Sequence, residues 1–506
     1  MYLSKSKGKM KRSIYTTLFI AALSLLFSSC SEDYLDTVPT DQVSATSAFE
    51  TTGNAMQALN GIHRLMYSQH NSRQDQAGEA SINIYRDMLG EDLVMNSTGN
   101  GWHNNIYKWV DHRSETAASG YAPWYLYYRL IANANMIINN IDNAVGPQAE
   151  KDIIKGEALI YRAWCHFNLA QMFAKRYVPG AANDQMGVPI MLTNNFDGQP
   201  RNTVAEVYTQ VLIDLDEAIV LLAGFNRQNK SHMNLNVAKG VKARVALTMG
   251  NWQLAATLAA EAREGFPLMS DAQYTAGFND YTNAEWMWGS TVVPDQTTYF
   301  YSFFAYMSRN FNSTNIRGNP KSINRDLYDD PIFTATDVRK LNFDPTGLHA
   351  SLGLPSNFTK YPYTNQKFMA AALADSRGDV VYMRASEMYL IEAEAYARMG
   401  GHDTEAQAAL NTLREARETV AANYVASTNT GQALIDEIML NRRLELWGEG
   451  FRFTDLKRLN LPLVRGTHHQ SALAGVMNVP AGDPMWEWLI PKQEMDANDQ
   501  MVQNPL

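Results

Sequence analysis

Val237 to Arg263 reads VAKGVKARVALTMGNWQLAATLAAEAR. Two helix-length runs meet here at Gly250-Asn251, a pair that stops one helix and starts another. Ala243 and Ala246 line the first run, and Ala255, Ala259 and Ala262 line the second. Side chains this small let neighbouring helices approach closely and stack. The arrangement recurs further along. Asp379 to Met399 and Thr404 to Arg417 flank Gly400-Gly401, with Ala393 and Tyr396 followed by Ala406, Leu410 and Leu413. Thr404-x-x-Gln407 predicts a capping box for the second helix of that pair.

Outward from these pairs, helical spacing dominates. Ala55 to Met66 and Trp124 to Ile141 predict helices, as does Lys155 to Ala174, closed by Lys175-Arg176 and Pro179-Gly180. Thr203 to Leu222 places Val204, Val207, Val211, Leu215, Ile219 and Leu222 at steps of three and four. Ile435 to Arg458 is the last strongly helical block. Both helix pairs resemble tetratricopeptide repeats. Residues 69–122 and 270–378 break the plan, being rich in Asn, Gly, Ser and aromatics. Connections of this length are functional or disordered, and their aromatic content argues against disorder. The expectation is a mainly α unit over residues 46–506, a helical scaffold carrying irregular insertions at about 69–122 and 270–378.

The N-terminus reads as an address. Lys5, Lys7, Lys9, Lys11 and Arg12 form a basic flank, and Ile14 to Phe27 run apolar. That run is shorter than the ~20 residues a membrane-spanning helix needs and suits a signal peptide over residues 1–29. Either Met1 or Met10 can start it. Leu26 to Cys30 (LFSSC) resembles a lipobox, in which Cys30 is lipidated and becomes the new N-terminus, and Ser31-Glu32-Asp33 resembles an acidic surface-export tag. Residues 30–45 are then a lipidated tether.

The formal charge is −9, and the five charged residues of the first 29 are all positive, so the remainder is more acidic still. Such a surface argues against a nucleic-acid partner, which requires a basic face. Two cysteines, Cys30 and Cys165, allow neither a disulfide framework nor a cysteine-rich metal centre. No nucleophile elbow, zinc-protease helix or phosphate-binding loop is present in the sequence.

With these features assembled, the chain resembles the SusD/RagB family over nearly its whole length. The matching stretches are Cys30 to Pro39 (CSEDYLDTVP), Trp124 to Asn135 (WYLYYRLIANAN), Glu157 to Phe173 (EALIYRAWCHFNLAQMF) and Pro200 to Leu222. Arg384 to Ala395 (RASEMYLIEAEA), Asn441 to Arg458 (NRRLELWGEGFRFTDLKR) and Leu489 to Pro505 complete them, the last with Ile490-Pro491, Asn498 and Gln503-Asn504-Pro505. The resemblance implies a SusD-like fold and a non-enzymatic lipoprotein on the outer surface of a Gram-negative outer membrane. It would capture oligosaccharide and deliver it to a TonB-dependent barrel of the SusC type, with the helical scaffold as well as the tether facing the barrel. RagB-like peptide capture, a glycan-cleaving enzyme and a protein-binding scaffold are the rival readings. No cofactor is implied, and a loop-organising calcium ion is left open.

For sugar capture, aromatic rings stack on the apolar faces of pyranoses while amides and guanidiniums orient the hydroxyls. The first insertion offers Trp102, His103, Asn104, Tyr107 and Trp109. The second offers Tyr299, Phe300, Tyr301, Phe303, Phe304, Tyr306, Arg309 and Asn312. In resembling proteins these regions build the ligand surface, so Trp102, Asn104, Tyr299, Tyr301 and Arg309 are the expected contacts. Asp87, Glu91 and Asp92 are expected to cap a helix or meet Arg86, and the charges of 441–458 to form a fold-holding network. Cys165 is expected to pack in the core. His468-His469 reads as a surface loop rather than a metal site, and no metal is expected.

Overall fold

In the computed structural model the described residues are 48–506, apart from 196, 297–299 and 301. Residues 1–29 and the whole of the 30–45 tether, Cys30 included, lie outside them, and so do Tyr299 and Tyr301.

The scaffold is built from α1 (Thr52–Leu65), α2 (Glu79–Met88), α3 (Ala118–Asn140), α4 (Gln148–Phe173), α5 (Val204–Leu221), α6 (Leu235–Met249), α7 (Trp252–Ala262), α8 (Ala385–Met399), α9 (Asp403–Ala416), α10 (Gly431–Glu445) and α11 (Arg452–Arg458). Each helix from α3 to α9 packs on the next, and α10 returns onto α8. The alanines of the opening stretch account for the closeness. Ala243, Ala246, Ala255, Ala259 and Ala262 are all buried where α6 meets α7. Gly240 lies so near Met383 that a Cβ there would sit 2.4 Å from its sulfur. α4 runs through the middle, buried without a break from Gly156 to Ala170, with Cys165 fully enclosed. A satellite cluster of Leu390, Leu410, Leu413, Leu434 and Ile438 closes α8, α9 and α10 on one another.

Short strands join the insertions to this stack: β1 (Leu93–Met95), β2 (Trp286–Ser290), β3 (Lys321–Ile323), β4 (Phe343–Asp344), β5 (Thr364–Asn365) and β6 (Val380–Arg384), with a terminal hairpin of β7 (Leu463–Val464) and β8 (Asn478–Val479). The antiparallel order β1-β3-β5-β4 pairs the first insertion with the second, Leu93 facing Ile323 and Met95 facing Lys321. β2 pairs with β6, which runs directly into α8, so the second insertion leaves the stack after α7 and returns to it at α8.

Several expectations are corrected. Asp379 to Arg384 is mostly strand, because Val380, Val381 and Tyr382 suit a ladder with β2 and helix begins only at Ala385. The capping box at Thr404 does not form. α9 starts one residue earlier, with His402 in the cap position and no side-chain cap bond. The box appears instead at Thr203, whose hydroxyl accepts from the Glu206 N–H at 3.2 Å while Glu206 accepts from the Thr203 N–H at 2.8 Å. Ile435 to Arg458 is two helices, separated by Gly448 and Gly450 at φ 80° and 89°. The first insertion is not wholly irregular: it contains α2, every residue of which is buried.

Candidate functional site

The antiparallel pairing of β1 with β3 determines where the exposed parts of the insertions meet. Beyond β1 the chain is held against the turn before β3. Asn96 and Ser97 both donate backbone N–H groups to the Asn319 carboxamide oxygen at 3.2 Å, and the Ser97 hydroxyl donates to the Gly318 carbonyl at 2.7 Å. Gly99 lies against Asn315 and Asn319 at φ 52°. The loop then exposes Thr98, Gly99 and Asn100 and turns sharply at Trp102 and His103.

His103 is the pin of that turn. Its backbone sits at φ 60°, a conformation that costs a bulky residue about 1–3 kcal/mol. The ring offsets this by packing edge-on to Tyr306 at 4.4 Å and against Tyr85 at 5.3 Å. Burial holds its imidazole at a pKa of about 4, so it is a neutral wedge. The Tyr306 hydroxyl donates to the Trp102 carbonyl at 3.3 Å, and the Lys321 ammonium lies 3.9 Å above the Tyr306 ring. Trp102 is partly exposed on this support. Asn104, also partly exposed, donates to the Thr98 carbonyl at 3.0 Å, while its carboxamide oxygen has no hydrogen-bond partner among the described residues. In the second insertion Phe300 is 40 % exposed and packs on Phe311 at 6.3 Å. Exposed Asn312 is oriented by a bond from Arg317 at 2.8 Å.

The other candidates are elsewhere. Arg309 is fully buried, donates to the Thr359 carbonyl at 3.0 Å and lies over the Phe358 ring. Its expected ligand contact is therefore corrected: its guanidinium fastens loops beneath the surface. Tyr107, Trp109, Phe303, Phe304 and Tyr306 are buried as well. Tyr107 bonds His469 at 2.6 Å and Trp109 donates to the Leu89 carbonyl at 3.1 Å. His469 is thus core rather than surface loop, whereas His468 meets Asp326 at 3.1 Å.

The interior holds a buried lattice of charge. Arg339, Arg384, Arg417 and Lys367 face Asp337, Glu285, Glu445 and Glu449. Glu445 is reached by Arg384 at 2.5 Å and Arg417 at 3.0 Å. Burial would raise its pKa, but Arg417, Arg384 and Arg339 outweigh that and hold it far below the usual carboxylate range. A second group ties Arg443 to Asp92 at 2.5 Å, Arg452 to Glu91, and Arg442 to Asp455 at 2.7 Å. The network expected in 441–458 exists. Its partners include Glu91 and Asp92, expected nearer Arg86, which instead meets Glu79 at 2.9 Å.

Sequence reasoning missed one opening of size. A cleft of about 500 Å³ lies between α3 and the C-terminal segment, lined by Trp124, Tyr128, Asn135, Asn194, Gln199 and Glu494. Two of its amides are already engaged: Asn135 donates to the Met191 carbonyl at 3.0 Å and Asn194 to the Ala132 carbonyl at 2.9 Å. Trp124 and Asn135 fell within a helix whose spacing explained them as core, so nothing in the sequence marked a cavity.

A stacked-helix scaffold with two cross-paired insertions on one side defines a class of helical proteins whose exposed face is made by loops. Within it, residues 33–247 match the family described as "Starch-binding associating with outer membrane" and residues 298–506 match the SusD family. The chain belongs to the SusD/RagB family. It is similar to SusD-like protein P38 of Formosa agariphila, 23% identical over 501 residues that cover 89% of this chain and 92% of that one. SusD-like protein P2 of the same organism is 24% identical over 88% and 91% of the two chains. Among solved structures, a SusD-like carbohydrate binding protein from Bacteroides vulgatus superposes with a TM-score of 0.78 at 26% identity, covering 90% of this chain and 98% of the other. A SusD superfamily protein from Bacteroides thetaiotaomicron gives 0.75 at 26% identity, with 90% and 100% covered. A laminarin binding SusD-like protein shares the fold at 0.66 and 21% identity, covering 90% and 100%.

Proposed function

We propose that this protein captures oligosaccharide at the cell surface and passes it to a TonB-dependent barrel of the SusC type, without turning it over. The observation that carries this reading is the pairing of the two insertions. It brings Trp102, on its pinned turn, to the same side of the fold as Asn104, Phe300 and Asn312, an aromatic-and-amide composition suited to pyranose rings. Tyr299 and Tyr301 flank Phe300 in the sequence and are proposed to extend that surface. Relatives whose names describe carbohydrate or laminarin binding support the ligand class. Among the described residues no helix is long and apolar enough to cross a membrane. Attachment is assigned to lipid on Cys30, and an acyl-modified cysteine with more than one chain anchors a protein stably.

The test is calorimetry of the purified protein against plant, host and microbial oligosaccharides, with a peptide mixture as the competing ligand class. Binding is expected to a saccharide, to fall at least tenfold in Trp102→Ala, and to persist in Tyr128→Ala, which alters the cleft and its packing on Trp124. Loss in Tyr128→Ala with retention in Trp102→Ala moves the site to the cleft, and peptide binding alone overturns the ligand class. Shortened sugars among the products would overturn the non-catalytic reading.

A further inference from the structure

We infer that His63, Glu157 and His232 form a binding site for a single divalent transition-metal ion of the zinc class. They come from three separate places in the chain: the last turn of α1, the middle of α4 and the segment leading into α6. Each offers one ligand atom, and the three atoms lie within 4.8 Å of one another. Their separations form a near-regular triangle. His63 Nε2 is 3.3 Å from His232 Nδ1 and 3.5 Å from Glu157 Oε2, and His232 Nδ1 is 3.2 Å from Glu157 Oε2. Ligands about 2.0–2.1 Å from a tetrahedral zinc ion stand roughly 3.3 Å apart, so the triangle is already one face of that polyhedron.

The surroundings are those of a metal centre. The Tyr161 hydroxyl bonds His63 Nδ1 at 2.7 Å, which leaves Nε2 as the atom aimed at the centre. The Met233 N–H donates to Glu157 Oε2 at 2.8 Å and fixes the carboxylate. Second-layer bonds of this kind set the tautomer and orientation of metal ligands. The side chain of Glu157 is 0% exposed and that of His63 8%, and His232 at 15% is the most exposed of the three. Among the described residues no lysine or arginine makes an ion pair with Glu157, whose contacts there are the two imidazoles, and the Arg227 guanidinium acts on it only from farther away. A buried carboxylate is costly unless compensated, and two nitrogens and one oxygen favour zinc or copper over calcium or magnesium.

The purified protein, stripped with chelator and dialysed against zinc chloride, is expected to retain one zinc per chain by elemental analysis and to melt at a higher temperature when loaded. His232→Ala, at the most exposed ligand, is expected to weaken retention at least tenfold, and His468→Ala on the surface to leave it unchanged. Absence of retained zinc, or equal retention in His232→Ala, overturns the site. Because substitutions at His63 or Glu157 can disturb packing, cobalt-loaded wild-type protein supplies the second measurement. Intense tetrahedral visible bands agree with the site; a weak six-coordinate spectrum overturns it.

Discussion

Glu445 shows how much a single residue carries. Its carboxylate is fully enclosed and faces Arg339, Arg384 and Arg417. Removing one member of a buried ionic group leaves the others uncompensated, at a cost of about 3–5 kcal/mol. Glu445→Gln is therefore expected to lower the unfolding free energy by that order in urea titration, with no change of ligand contact. The chemistry of this residue was half legible. Its segment, crowded with Arg442, Arg443, Arg452 and Asp455, announced a network, but Arg384, Arg417 and Glu285 lie elsewhere in the chain and no spacing rule connects them. Arg309 illustrates the converse. A charged residue amid aromatics reads as a surface contact, yet Phe358 and the Thr359 carbonyl enclose it.

At the scale of elements, Thr203→Ala removes the hydroxyl that accepts from the Glu206 N–H, leaving the backbone bond from the Thr203 N–H to Glu206, and is expected to cost about 1 kcal/mol in chemical denaturation. Gly450→Ala has a different cause. At φ 89° a Cβ would sit 2.5 Å from the Asn83 oxygen and 2.7 Å from the Asn83 Cα, so a loss of at least about 1–3 kcal/mol is expected, together with looser seating of α2. The helices themselves were legible because small and apolar residues recur at helical steps over many turns. What was not legible was short and paired. β6 is five residues long and is a strand only because β2 lies beside it, and α2 carries Glu79, Asn83, Arg86 and Asp87 on a polar face that is buried against partners its own ten residues do not reveal. Trp102 could be singled out by composition, but the turn that presents it depends on Tyr306, some two hundred residues away.

For the whole molecule, acid sensitivity follows from the enclosed imidazoles. Burial lowers His103, His349 and His469 to about 4 and His112 and His166 to about 3. Their unfolded value is near 6.5, so between pH 6.5 and 4 the unfolded chain binds more protons than the folded one, and stability falls as pH falls. Asp87, raised to about 7 by burial, acts in the opposite sense over part of that range, as do the raised Glu79, Glu157 and His232, but His63 and His70, also lowered by burial, add to the five histidines. The urea midpoint is expected to decline steadily below pH 6.5. A midpoint unchanged down to pH 4.5 would show that these histidines are exposed to solvent.

The bond between Arg452 and Glu91 spans 361 positions, and that span has a consequence in time. A growing chain without the 441–458 block has no counter-charges for Glu91 and Asp92, and none of the carboxylates that neutralise Arg384 and Arg417 from that side. Closure over such a distance is entropically late. The tie between the first insertion and the last long helices therefore cannot close until the 441–458 block is available, however early the local helix pairs have formed.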